Sequence, residues 1–235
     1  MNVDGREGNV PFGSEYILEA REELGIAPID SFEKEQSHPL AEYFQQKLNP
    51  WDMELLDQDI EDIRRRREIE RKKGEAFDMI IVASLVDRVP NLAGLCRTSE
   101  IFGATLLVVP SLKVIQDPNF QNISMTSESW LDINECKAGE LIPYLEQLRM
   151  KDYRLVAIEQ SSQSHSLLHY QFPRKCALIL GNENQGIPAE ILHLVDDCIE
   201  IPQFGIIRSL NVHVSGSLVL WEARRQFQLR LYGSN

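Results

Sequence analysis

The chain has 235 residues, 43% of them apolar, which is enough for one sizeable domain and an appendage. Its formal net charge of −12 argues against a protein that grips nucleic acid by overall charge, while leaving room for a local basic patch. No run of about 18 or more apolar residues is present, so no transmembrane helix is expected, and the opening MNVDGREGNVPFG lacks the apolar stretch of a secretory signal.

Residues 1–75 hold 11 Lys and Arg against 19 Asp and Glu, so they carry most of the acidity. Their pattern predicts a helical N-terminal extension: SEYILEAREELG closed by Gly25, HPLAEYFQQKL ended by Pro50, and a third helix with Leu56, Ile60 and Ile63 at helical spacing. Its end is basic, from Arg64 to Arg67 and again at Arg71, Lys72 and Lys73. Such a run suits a solvated helix end first and an RNA-backbone contact second.

Past Gly74 strands alternate with helices, which predicts a second domain over residues 76–235: an α/β fold with a mostly parallel sheet. MIIVASLV (79–86) reads as a buried strand, followed by a helix from Asn91, its expected cap, to Phe102, stopped by Gly103. TLLVVP (105–110) is the next strand, residues 111–137 are mixed loop and short elements, and residues 138–152 form a helix. RLVAIEQ (154–160), KCALILG (175–181) and CIEIP (198–202) are strands, and PAEILHLV (188–195) is a short helix with Pro188 in its first turn. A long terminal helix runs from Ser209 to about Leu231. Cys96, Cys136, Cys176 and Cys198 are scattered with no CxxC pair. They read as reduced thiols of a cytoplasmic or nuclear protein, not as disulfides or zinc ligands.

Three stretches carry the chemistry. In NLAGLCRT (91–98), Asn91, Gly94 and Arg97 recur every third residue, with Leu92, Leu95 and Cys96 mainly on the other side. The glycine is expected to make room for another backbone, and the arginine can fork onto a phosphate. GNENQGIP (181–188) follows a buried strand, where parallel sheets bind ligands, and packs a carboxylate and three amides between two glycines. It lacks the G-K-[ST] ending of a phosphate-binding Walker loop. IPQFGIIRSLNVHVSGS (201–217) runs from a strand end through a loop into a helix opening with Ser209 and Asn211. His213 in it is read as structural.

Together these stretches resemble, in order and spacing, the three motifs of the SpoU/TrmH family of the SPOUT superfamily: N-x-x-G-x-x-R, G-N-E-x-x-G-I and I-P-x-x-G-x-x-x-S-L-N-V. The resemblance covers about residues 76–231 and is greatest to eukaryotic transfer-RNA guanosine ribose methyltransferases. It implies a Rossmann-like sheet with a C-terminal trefoil knot, a feature no periodicity argument would propose. It also implies a homodimer, S-adenosylmethionine as cofactor, and methylation of a guanosine ribose 2′-hydroxyl in the tRNA D-loop, with no metal and no membrane. The alternatives are a catalytically silent RNA-binding scaffold and a methyltransferase acting on ribosomal RNA.

Carried onto this sequence, the motifs make Arg97 the catalytic arginine, with Asn91 orienting Arg97 or the ribose and Ser209 and Asn211 positioning the acceptor. Glu183 is placed with them, meeting the cationic part of the cofactor or bracing its loop. Gly181, Ile201, Gly205 and Leu210 are implied to hold the cofactor, with Glu159 reaching it from its strand end. The cofactor is thus expected among residues 156–160, 181–187 and 201–211. Gln203 stands where methionine is usual, and His213 and Ser215 where serine and alanine are usual.

Overall fold

The computed structural model describes Arg65, residues 77–207 and residues 209–232. The helices expected over residues 1–75, and all of the basic run except Arg65, lie outside the described residues.

Seven strands form one sheet in the order β3-β2-β1-β6-β4-β7-β5, every pairing parallel. They are β1 (Asp78–Val82), β2 (Leu106–Val109), β3 (Ile133–Glu135), β4 (Arg154–Ile158), β5 (His165–Ser166), β6 (Lys175–Leu180) and β7 (Asp197–Glu200). The helices are α1 (Val89–Ile101), α2 (Pro118–Ser124), α3 (Leu141–Met150), α4 (Ala189–Leu192) and α5 (Val212–Tyr232).

The apolar runs at β1 and β6 become central strands because both faces of the sheet are covered. Successive side chains alternate between two cores. Met79 and Ile81 of β1, with Leu178 and Leu180 of β6, face Leu92 and Leu95 of α1 and Val219, Leu220 and Phe227 of α5. Ile80 and Val82, with Ala177 and Ile179, face Leu141, Leu145 and Leu148 of α3 and Ile191 of α4. Each such fully buried side chain contributes about 1.5–3 kcal/mol of burial free energy.

Most elements lie within a few residues of their expected bounds, and the differences are informative. β1 stops at Val82, not at residue 86, because the chain turns there: Val86 N–H donates to Ala83 O at 3.0 Å. α1 begins two residues early, with Pro90 in its first turn. Asn91 is therefore inside the helix and not its cap. Arg88 takes the cap position without a side-chain cap bond. Gly103 ends α1 as expected, at φ +69°. β5 was not anticipated; two residues, His165 and Ser166, carry no periodicity and are defined only by pairing with β7.

From β1 the chain builds outward through β2 and β3, then returns to lay down β4 and later places β6 between β4 and β1. The reversal of winding at the β1–β6 pair is where an open parallel sheet leaves a crevice at its carboxyl edge.

Candidate active site

A cavity of about 750 Å³ opens at that edge. Ile158, Glu159 and Gln160 line it at the end of β4, residues 181–187 after β6, Ile199, Glu200 and Ile201 at the end of β7, and Ser209, Leu210 and Asn211 before α5. Arg88 and Asn91 close it from the start of α1. The three segments expected to surround a ligand therefore meet around one cavity, together with the start of the first motif.

The motifs are tied by a relay of side-chain amides. Glu183 Oε1 accepts from Asn91 Nδ2 at 2.8 Å, and Asn91 Oδ1 accepts from Asn211 Nδ2 at 3.0 Å. Asn211 Oδ1 in turn accepts from the backbone N–H groups of His213 and Val214 at 2.9 and 3.3 Å, capping α5. The order is forced. The ionised carboxylate can only accept, so Asn91 must present its NH2 to Glu183 and its oxygen to Asn211, and Asn211 must present its oxygen to the helix. This satisfies Asn91, which is 7% exposed. Asn91 makes neither the helix cap nor a bond to Arg97.

Glu183 also accepts from the backbone N–H groups of Asp87 and Arg88, at 3.1 and 3.0 Å. A carboxylate from the second motif thus caps α1, where the helix end carries partial positive charge. Burial opposes its ionisation, but the hydrogen bonds from Asn91, Asp87 and Arg88 outweigh this and hold its pKa below the ordinary carboxylate value. With both oxygens engaged, its visible role is to brace the β1–α1 loop.

The glycines of the second motif have separate reasons. Gly186 sits at φ +69°, and an added Cβ there would meet Glu159 Oε2 at 2.5 Å. At Gly181 an added Cβ would meet the Gly186 backbone at 2.7 Å. The loop closes on itself through paired Asn182 and Gly186 backbone bonds of 3.0 and 2.9 Å. Asn182 Oδ1 accepts from the N–H groups of Asn184 and Gln185, and its Nδ2 donates to Leu85 O and Asp87 Oδ2. Glu159 braces the other side, accepting from Ile187 N–H at 3.1 Å.

Of the ten residues the motifs single out, Asn91, Glu159, Gly181, Glu183, Ile201, Ser209, Leu210 and Asn211 line the cavity. Arg97 and Gly205 are outside its lining. Arg97 is exposed on α1, and no bond to its side chain is found among the described residues. Gly205 has open space where a Cβ would go. Gly94 does not admit another backbone; it admits the imidazole of His213, which would lie 2.5 Å from a Cβ. Gly216 is met in the same way by the Leu95 side chain at 2.6 Å. Asn182 and Arg88 are two lining residues to which the motifs assigned no role. Asn182 stood inside the second motif, and Arg88 was legible only as a basic residue three positions before Asn91.

The cavity suits an adenosine-bearing cofactor. Its volume falls within the range of small-molecule sites, its walls carry Ile158, Leu180, Ile187, Leu192, Ile199 and Ile201, and glycine backbone is presented at 181 and 186. Among the described residues no group of three or more His, Cys, Asp or Glu side chains could hold a metal ion.

A parallel sheet whose three motif loops close one cavity at its carboxyl edge defines an α/β protein with a cofactor-type crevice. The chain belongs to the SpoU rRNA Methylase family, whose profile matches residues 78–221. It is 42% identical over 223 residues to the Mus musculus tRNA (guanosine(18)-2′-O)-methyltransferase TARBP1, a match covering 91% of this chain and 14% of that protein. It is 37% identical over 144 residues to the tRNA (guanosine(18)-2′-O)-methyltransferase of Saccharomyces cerevisiae, covering 61% of this chain and 10% of that one. The chain thus spans a small fraction of these relatives. The A. aeolicus TrmH/SpoU tRNA modifying enzyme superposes with a TM-score of 0.59 at 27% identity, covering 66% of this chain and 77% of that one.

Proposed function

We propose that this chain is the catalytic region of an S-adenosylmethionine-dependent RNA 2′-O-ribose methyltransferase acting on guanosine 18 in the D-loop of tRNA. The observation that carries the reading is the convergence of the three family motifs on one cavity through the Glu183–Asn91–Asn211 relay. The names of the relatives supply the acceptor.

Bound in the cavity, S-adenosylmethionine would supply a methyl group on a sulfonium, from which a neutral thioether departs as a good leaving group. Ile158, Ile187, Ile201 and Leu210, with the Gly181 and Gly186 backbone, would hold its adenosine. The protein's task is alignment and charge management. Asn91 and Asn211 are held in single amide orientations, and Ser209 stands beside Asn211 as a polar contact for the acceptor. A guanidinium carries only N–H donors and no acceptor, so it is a poor base. Arg97 instead anchors the target phosphate and eases charge developing on the 2′-oxygen, whose proton is released to solvent as the methyl arrives.

Arg97 lies outside its own subunit's cavity, which fits a homodimer whose site is completed near the interface. The basic run from Arg64 to Lys73 contributes to RNA capture. A trefoil knot in the C-terminal part of the fold and a reducing compartment, cytoplasm or nucleus, complete the reading.

The test is transfer of tritiated methyl from S-adenosylmethionine into tRNA, with the modified nucleotide mapped, for the wild type and Arg97→Ala. The wild type is expected to label a D-loop guanosine ribose. The variant should lose about 100-fold or more in turnover while cofactor affinity stays within a few-fold. A wild type that binds the cofactor and transfers no methyl overturns the enzyme reading in favour of an RNA-binding scaffold. Near-normal turnover by folded Arg97→Ala removes Arg97 from the mechanism.

A further inference from the structure

Arg88 is the only basic residue among the described residues lining the cavity. Three carboxylates line the same space, and the hydrogen bonds found for them lead elsewhere. Glu183 accepts from Asn91, Asp87 and the Arg88 backbone, Glu159 from the N–H groups of Ile187 and Gln160, and Glu200 from Ser164 Oγ. The Arg88 side chain is exposed, and no partner for it is found among the described residues. Its backbone is nonetheless pinned, because Glu183 Oε1 holds its N–H at 3.0 Å.

Folding does not account for a cation here. Arg88 is the N-cap of α1, the end at which a positive side chain opposes the helix dipole. Its side chain makes no cap bond, and among the described residues it has no ion pair that would offset this. A free guanidinium on a fixed backbone at the mouth of an otherwise acidic cavity is matched to an incoming anion with paired oxygens.

We propose that Arg88 binds a backbone phosphate of the acceptor RNA. This rests on the methyltransferase reading and deepens it: the cavity itself supplies a phosphate contact, separate from Arg97. A phosphate is favoured over the carboxylate of the cofactor because Arg88 belongs to the α1 side of the cavity and faces solvent. The apolar walls suited to adenosine lie at the ends of β4, β6 and β7.

The experiment uses the full chain, wild type and Arg88→Gln and Arg88→Lys, with folding checked by circular dichroism. Binding of an unmodified tRNA transcript is measured over a range of salt, S-adenosylmethionine affinity by calorimetry, and methyl transfer by KM and kcat. Arg88→Gln should raise the KM for tRNA by about tenfold and lower kcat by no more than about threefold. It should also flatten the salt dependence by about one unit of slope, because one phosphate contact releases about one counterion. Arg88→Lys should keep most of the slope but not all of the affinity. Unchanged tRNA affinity and slope in the folded glutamine variant, beside an active wild type, overturn the inference alone. A loss confined to S-adenosylmethionine affinity overturns it too and assigns Arg88 to the cofactor's carboxylate. A wild type with no methyl transfer overturns the enzyme reading and the inference with it.

Discussion

Glu183 shows how one side chain can serve as structure and site together. It gathers two backbone N–H groups and the Asn91 amide, so the loop before α1 cannot move without breaking charge-assisted hydrogen bonds. Glu183→Gln leaves one acceptor oxygen and turns an NH2 group towards a donor. It should lower stability by about 1–2 kcal/mol, read from denaturant unfolding at neutral pH. The pH dependence is the more specific sign. The folded-state pKa lies below the ordinary carboxylate value, so Glu183 stabilises the fold above that range, and the stabilisation is lost as pH falls through the lowered pKa. The wild type should therefore lose stability below about pH 4.5 more steeply than Glu183→Gln. Parallel acid limbs for the two proteins would show that the carboxylate is not held in this way.

At the scale of elements, the contact between α1 and α5 decides whether the motifs meet. The two helices run side by side in the same direction, as the pairs Gly94–His213, Leu95–Gly216 and Thr98–Ser217 show. The first two of these close approaches depend on a residue without a Cβ. An alanine at 94 would gain about 1 kcal/mol of helix propensity, but its Cβ would stand 2.5 Å from the His213 ring. Overpacking of this kind costs about 1–3 kcal/mol, so the clash wins. Gly94→Ala should be destabilising alone and neutral or better beside His213→Ser, in a double-mutant cycle read by urea unfolding. Additive effects would mean that the ring moves aside freely. Where serine is usual in the family, His213 is a ring seated on a glycine, and its buried Nε2 has no hydrogen-bond partner among the described residues.

For the molecule as a whole, the exposed apolar surface is the feature that one subunit leaves unexplained. Val214, Leu218 and Trp221 follow helical spacing along α5 yet are 42%, 42% and 49% exposed, so this chain covers each of them only in part. Phe204 and Ile206, in the loop before α5, are each 94% exposed. In the proposed homodimer this apolar surface is what the partner would cover. The protein should sediment as a dimer at micromolar concentration. Trp221→Glu should weaken dimerisation by at least about tenfold, as for a central aromatic anchor, with methyl transfer falling in step. A wild-type monomer at tens of micromolar by sedimentation velocity would reject the dimer and the shared site.

The sequence by itself determined the alternation of strands and helices, the two-faced burial of β1 and β6, the end of α1 at Gly103 and the three segments that surround the cavity. These are local in origin: apolar runs, turn residues and motif spacing are readable along the chain. Only the tertiary structure decided what the motif residues do to one another. Asn91 reads as a helix cap until Glu183, 92 positions away, and Asn211, 120 positions away, take up its amide. Gly94 reads as space for a backbone until His213 fills it. β5 exists only because β7 lies beside it. Arg88 becomes conspicuous only when every neighbouring carboxylate is seen to be engaged elsewhere. Such roles depend on which distant groups satisfy each donor and acceptor, and that accounting closes only in three dimensions.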